Sequence, residues 1–180
     1  MIQSKFKTIC LVTLLLTICS TPLTAQTNPI EKFSFLIGDF VFKGKTLSSP
    51  DTYSEYTGVW SGKYALDGTA IVEEFKIHGP QGQPVFFGMT TRAFNQKENK
   101  WVMGYFDALN PAWYPLGDPV FQDDGRITFF GRFPGMNENQ KLRISFFDIA
   151  MDSFKWKSDI SMDNGETWIE DYTIIEVVRK

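Results

Sequence analysis

The chain predicts an all-β protein, an antiparallel up-and-down β-barrel of about nine or ten strands with one short N-terminal helix. Three observations carry this. After Gly38 the sequence runs as short β-rich segments separated by turn residues, at the spacing of a barrel or sandwich. No helix-period segment is long enough for a βαβ crossover. Residues 85–108, VFFGMTTRAFNQKENKWVMGYFDA, read as one long β-hairpin whose faces are both largely apolar. Trp101, Met103, Tyr105 and Asp107 share one face of its second arm, and Val102, Gly104 and Phe106 share the other. An open sheet with one wet face alternates more cleanly, so the hairpin belongs in a closed or sandwiched sheet.

The elements follow in order. Residues 28–38, NPIEKFSFLIG, form the one convincing helix candidate. Asn28 suits the N-cap and Pro29 the first helical position. At helical spacing Ile30, Phe33 and Ile37 fall near one face, and Gly38 ends the segment. Strands are expected at 40–46, at 53–64 with Gly58 and Gly62 as bulges, and at 69–77. The hairpin 85–94 and 100–108 comes next, turned by Asn95-Gln96-Lys97-Glu98-Asn99, whose asparagines tolerate positive φ. Residues 110–119 hold three prolines and read as an irregular loop over a barrel mouth, followed by a short strand at 120–122. Further strands are expected at 126–133, 142–149, 154–160 and 167–178, the last entered through Asp163-Asn164-Gly165.

Ahead of this domain lies a targeting segment. A basic start with Lys5 and Lys7 leads into an apolar run from Thr8 to Ser20 and a small-residue exit, Thr21-Pro22-Leu23-Thr24-Ala25. This is the pattern of a secretory signal peptide. Cleavage is expected after Ala25, to within a few residues because Leu23 is not ideal at its position. The apolar run is shorter than the roughly 20 residues of a membrane span, so no span is expected in the mature chain. Leu16-Thr17-Ile18-Cys19 resembles a lipoprotein box, but bulky Ile18 stands where a small residue is wanted. Export to a periplasmic or extracellular space is therefore favoured over a lipid anchor at Cys19.

Removing 25 of the 180 residues leaves 155, enough for a single domain at 26–180 with a real core. Both cysteines, Cys10 and Cys19, leave with the leader. The mature domain then has no disulfide, no thiol nucleophile and no cysteine metal site. The net charge of −3 becomes −5 once the two leader lysines are gone. With no basic stripe, nucleic acid is excluded as a partner. Seventeen Phe, six Tyr and five Trp suit strands and apolar pockets.

Three stretches carry resemblances. Phe35-Leu36-Ile37-Gly38-Asp39-Phe40 resembles the L-x-G-x-W opening of calycin-type barrels, with Phe40 in place of tryptophan. The hairpin from Arg92 to Trp101 with Tyr105-Phe106-Asp107, and the late stretch from Ser158 to Trp168, resemble an uncharacterised bacterial family, the domain of unknown function 1579. That family usually has a tyrosine-aspartate turn and a following W-x-D, where this chain has Ala93-Phe94-Asn95 and Tyr105-Phe106-Asp107. The resemblance implies a calycin- or lipocalin-like barrel and implies no activity. Ser161-x-Asp163-x-Gly165-x-Thr167-Trp168 also looks like the Asp-box of sialidases. A sialidase carries several such boxes on a longer propeller, so a single box is read as a hairpin device: the Asp accepts turn N–H groups, Gly takes positive φ and Trp packs beneath.

Little in the sequence points to chemistry. The single histidine, His78, could ligate a haem iron or act as a base. It stands before Gly79-Pro80, where an exposed histidine is ordinary. One histidine excludes a multi-His metal site, and no G-x-S-x-G elbow or phosphate-binding glycine loop is present. No cofactor and no metal are expected.

Glu73 shares a strand face with Ile71, Phe75 and Ile77. If that face points inward, it is a carboxylate in an apolar cavity, able to act as acid, base or ligand anchor. Arg92, Arg132 and Arg143 sit in apolar runs, and one facing inward near Glu73 or Asp107 would suit an anionic head group. Tyr105, Trp113, Tyr114 and Trp156 are the natural aromatic lining. The ligand-binding candidates are thus Glu73, Arg92, Tyr105, Asp107, Trp113, Arg132 and Trp156.

The leading expectation is an exported binder of a small hydrophobic or amphipathic molecule inside the barrel. The contrasting one is a small isomerase, lyase or hydrolase using Glu73 or Asp107 with a Tyr or Arg partner. A third is a filled barrel acting through its surface. A homodimer stays open.

Overall fold

A computed structural model describes residues 28–79 and 81–180. The leader, its cleavage site and both cysteines lie outside the described residues. The chain forms a 3-10 helix, Pro29–Leu36, and eleven strands: β1 Gly38–Ser49, β2 Thr52–Ala65, β3 Ala70–His78, β4 Pro84–Asn95, β5 Lys100–Asp107, β6 Ala112–Leu116, β7 Val120–Phe121, β8 Ile127–Gly131, β9 Lys141–Phe147, β10 Ser153–Ser161 and β11 Ile169–Arg179.

All pairings are antiparallel, and the sheet order is β6-β5-β4-β3-β2-β1-β11-β10-β9-β8-β7. Leu116 of β6 pairs with Gly131 of β8, which closes the sheet into a ring. Further along β8, Val120 pairs with Thr128 and Phe121 with Ile127. β6 and β7 therefore share one lane of a ten-stranded barrel, interrupted at Gly117-Asp118-Pro119.

The helix is tighter than helical spacing suggests. Asn28 caps it, its side chain accepting from the Ile30 N–H at 3.2 Å. With three residues per turn, the buried residues recur at Ile30, Phe33 and Leu36, and Ile37 becomes the C-cap. The helix stops one end of the barrel. The Phe33 ring meets Trp101 edge-on at 5.0 Å, and Phe35 meets Phe154 at 5.3 Å. Burying one such ring contributes about 1.5–3 kcal/mol. The end of β11 clamps the stopper: Arg179 Nη1 donates to the Ile37 carbonyl and the Lys180 N–H to the Asp39 carbonyl, each at 2.9 Å.

Gly58 and Gly62 are not bulges, because the β1–β2 and β2–β3 registers run unbroken through both. Their role is close approach. Phe42 pairs with Gly58, and a Cβ there would meet the Phe42 ring at 2.1 Å. A Cβ at Gly62 would meet the Leu36 carbonyl of the stopper at 2.0 Å. The stretch read as a loop at 110–119 contains β6. Pro115 is tolerated there because β6 pairs along its length with β5 but meets β8 only at its last residue. The central hairpin turn forms as expected. Asn95 Oδ1 accepts from the N–H groups of Lys97 and Glu98 at 3.1 and 3.2 Å, and Asn99 has φ of 50°.

Candidate functional site

The stopper fills one end of the barrel and leaves a cavity of about 350 Å³ in the other half. Its walls are strand residues of inward parity: Trp60, Phe75, Phe86, Tyr105, Phe129, Ile144, Trp156 and Ile175 among them. Strand alternation sets this. In β1, Phe40 and Phe42 are buried while Val41 and Lys43 face out, and β11 does the same with Thr173, Ile175 and Val177 against Glu176 and Val178.

Glu73 and Arg92 meet at the base of the cavity. Glu73 pairs across the ladder with Thr90, and Arg92 with Ile71, so the two charges are diagonal neighbours on β3 and β4. Arg92 Nε donates to Glu73 Oε1, and Nη2 donates to Oε2 at 3.4 Å. Nη1 reaches the Met103 sulfur at 3.4 Å. The guanidinium also lies over the Phe33 ring of the stopper at 4.6 Å. Glu73 is only 1% exposed. It is an inward carboxylate, the case the sequence offers only conditionally, and it is held by a cation rather than left free.

Nearer the mouth, hydroxyl groups satisfy one another. Thr46 Oγ1 lies 3.2 Å from the Tyr56 hydroxyl and 3.1 Å from Thr173 Oγ1. Two other polar groups, in side chains of the wall, have no partner and are closed off from the cavity itself. The Trp60 indole N–H and the Tyr105 hydroxyl are buried without a hydrogen bond, in side chains 5% and 3% exposed. Tyr105 stacks on Phe86 at 5.7 Å and lies over Gly88, where a Cβ would meet its ring at 2.2 Å. Burial, aided by the nearby Asp107 and Tyr114, pushes the Tyr105 hydroxyl well above the ordinary tyrosine range. The group therefore keeps its proton throughout the physiological range.

Four of the seven expected site residues, Glu73, Arg92, Tyr105 and Trp156, line the cavity. Three do not, each for a local reason. Asp107 is buried, but its carboxylate caps the turn after β5, accepting from the Leu109 N–H at 2.9 Å and the Asn110 side chain at 3.1 Å. Trp113 has outward parity on β6; it is 55% exposed and packs on Phe106 at 5.2 Å. Arg132 lies past the end of β8 and staples the following loop through the Gln140 and Glu138 carbonyls. Tyr114 is half-buried behind Tyr105, outside the cavity wall. Arg143 lies outside the barrel, bonded to Asp159 at 2.9 Å and Glu170 at 2.6 Å. His78 is exposed at the end of β3, its ring edge-on to Phe87 at 4.9 Å, and does not line the cavity.

Sequence reasoning missed Trp60, Tyr56 and Phe86. For Tyr56 and Trp60 the signal is the inward series Tyr56-x-Gly58-x-Trp60-x-Gly62, whose alternating glycines suggest bulges from sequence alone. The Asp-box behaves as a hairpin device. Asp163 accepts from the Thr167 N–H at 2.9 Å, Gly165 has φ of 102°, and Trp168 packs against Gly165.

Among the described residues no cluster of His, Cys, Asp and Glu is arranged to hold a metal ion. Among them, too, no helix is long and apolar enough to cross a membrane.

No family model matches the chain, and no curated protein matches it. Solved structures do. The S-type phycobiliprotein lyase CpeS from Guillardia theta is 11% identical, with a TM-score of 0.57 over 86% of this chain and 94% of that one. Rv2717c from M. tuberculosis is 13% identical, with a TM-score of 0.58 over 84% of this chain and 98% of that one. At these identities the likeness speaks for the fold alone: a closed, ten-stranded, antiparallel barrel of the calycin or lipocalin-like kind.

Proposed function

We propose that this protein is an exported container for a small, largely apolar molecule, which it holds in the open half of the barrel. One observation carries the reading: an aromatic-walled cavity of about 350 Å³ with a few polar residues, Thr46, Thr90 and Ser158 among them, in its wall. Ligand sites commonly span about 300–1,000 Å³ and combine an apolar wall with a few placed polar groups, and this cavity falls at the small end. A filled barrel acting only through its surface would have no such space.

The enzyme reading has less support. Glu73 has the arginine partner that reading asks for, but both of its oxygens face the Arg92 guanidinium. Asp107 is committed to a turn. Export rests on the leader pattern before Gln26. Membership of the domain of unknown function 1579 rests on the hairpin around residues 92–107 and on the stretch from Ser158 to Trp168.

Native mass spectrometry of the mature protein, purified gently from its own host, tests the container directly. A small molecule retained under native conditions and lost on denaturation is the expected result. No retained mass, together with no binding of a neutral apolar dye, would overturn the reading.

A further inference from the structure

We infer that the outer face of β4, β5 and β6 is a docking surface for a second copy of this chain, on which two barrels meet side by side with their ends left clear. The inference does not depend on what the cavity holds.

A sheet closed into a barrel keeps its apolar side chains inside and polar ones on the wet side. Part of this barrel obeys the rule. Lys43, Glu176 and Lys155 form a charged cross-strand row on the outside of β1, β11 and β10. Across the ring from β11 the rule fails. Met89, Phe106 and Trp113 form one outward row on β4, β5 and β6, and Thr91, Gly104 and Pro115 form the next. Ala93 and Val102 make a third, and Val72 of β3 extends the second. None of these side chains is charged. Their strand neighbours Thr90, Arg92 and Tyr105 line the cavity, which fixes the outward parity.

Trp113 makes the face flat. Its ring leans on Gly104, where a Cβ would lie 3.3 Å away, and packs on Phe106 at 5.2 Å. More than half of it stays exposed, as does more than half of Val102. Single apolar residues on a surface are ordinary, but a contiguous apolar face marks a contact.

Size and charge point to a second copy. At about 4.8 Å between strands and 3.4 Å per residue, the face over β3 to β6 covers roughly 400 Å². A stable dimer takes about 800 Å² from each partner, arranged as an apolar centre with a polar rim. The face supplies the centre. Lys63, Lys76 and Lys100 with Glu74, Glu98 and Asp118 supply the rim, in both signs. Two of its pairs, Lys76 with Glu74 and Lys100 with Glu98, are already closed. A strongly charged partner therefore finds no opposing field here. Two copies of a chain with net charge −3 repel elsewhere, and on this face they meet without like charges opposed. A two-fold contact covers the same patch on both copies at once. It also covers β6, which β8 holds only at Leu116 and Gly131, so dimerisation steadies that joint of the ring.

Sedimentation velocity of the mature protein from about 1 to 100 µM tests this, and a dimer that dissociates on dilution is expected, with a melting temperature that rises with concentration. Val102→Lys and, separately, Trp113→Ser should each weaken the dimer about tenfold or more, with far-UV dichroism and the affinity for N-phenyl-1-naphthylamine kept. Both replace half-exposed side chains, and either variant decides if the other fails to fold. Val41→Lys, on the exposed valine of β1, is the control and should leave the dimer intact. A monomer throughout the range would overturn the inference. A monomer that sediments with neutral phosphatidylcholine vesicles would do so as well, by assigning the face to a membrane. A dimer that survives Val102→Lys and Trp113→Ser would place the contact elsewhere and equally overturn it.

Discussion

Arg92 reaches one diagonal step across the β3–β4 ladder and holds both carboxylate oxygens of Glu73. Each partner is almost fully buried. Removing one charge strands the other in an apolar interior, which costs about 3–5 kcal/mol, whereas removing both together is far milder. Arg92→Met is therefore expected to lower stability by about that amount in urea melts. The double variant Glu73→Gln with Arg92→Met should recover more than half of the loss. A double variant no more stable than Arg92→Met alone would mean that the pair is not the unit of stabilisation.

Gly62 is the seat of the stopper. Any side chain there runs into the Leu36 carbonyl, which is backbone and cannot swing aside. Gly62→Ala is expected to destabilise by about 1–3 kcal/mol, with a changed near-UV dichroism as the Phe33 and Trp101 rings shift. Gly104→Ala is the control, since its new methyl meets the edge of the exposed Trp113 ring at 3.3 Å and the Tyr114 carbonyl at an ordinary 3.7 Å. Equal melting temperatures for the two variants would count against Gly62 as the contact point.

Acid should loosen the hairpin at the mouth. The Thr167 hydroxyl, the Thr167 N–H and the Ser161 hydroxyl all bond the Asp163 carboxylate and hold its pKa far below the ordinary range. A carboxylate with a depressed folded pKa contributes stability that is full above its unfolded value, about 3.9 for Asp. That stability fades as pH falls through the folded value. The wild-type protein should therefore lose stability below about pH 4, and Asp163→Asn should flatten that part of the curve. The same acid slope in the variant would assign the effect elsewhere. Asp159 is the next candidate. Burial opposes its charge, but the Asp171 N–H, Arg143 and Lys157 outweigh burial and also hold its pKa low.

Two tryptophans separate the inside of the barrel from the outside. Trp156 lines the cavity, and Trp113 packs on the outer face against Phe106. Trp156→Ala is expected to change the affinity for N-phenyl-1-naphthylamine about fivefold or more, and Trp113→Ala less than about twofold. Dye titration of both variants decides it. The reverse ranking would place the binding surface on the outer face of β5 and β6.

The fold was legible because its signals are local. The Asn95 and Asn99 turn, the Asp163-Asn164-Gly165 turn and the alternation along each strand need only neighbouring residues. Glu73 was legible only in part: the face it shares with Ile71 and Phe75 can be read from spacing, but whether that face points inward cannot. What stayed hidden depends on partners distant in sequence. Gly58 looked like a bulge because the Phe42 ring that covers it belongs to another strand. Pro115 looked like a loop residue because the weak pairing of β6 with β8 is a property of the closed ring. Trp113 and Tyr105 have equal aromatic character, and only the β5–β6 register puts one outside and the other inside. Arg92 was legible only as one of three arginines in apolar runs, and its commitment to Glu73 is a matter of side-chain reach rather than of sequence spacing.

The ring has two unequal joints. β6 meets β8 over a short span of chain, at Leu116 and Gly131. β1 meets β11 along a full ladder that begins with Phe40 opposite Arg179, near the two limits of the described chain. Every other pairing joins strands adjacent in sequence, apart from the small β7 insertion. Local pairings form early and distant ones late, since loop closure must be met before contacts return it. The two meanders can thus assemble separately, and the barrel becomes a vessel only when its ends zip together. The same event seats the base, because Arg179 and Lys180 grip the carbonyls of Ile37 and Asp39. Truncation after Val178 should slow refolding, followed by tryptophan fluorescence, more than it weakens either meander. An unchanged rate would put the slow step elsewhere. A chain still being made would have walls without a fixed floor until Arg179 and Lys180 had been added.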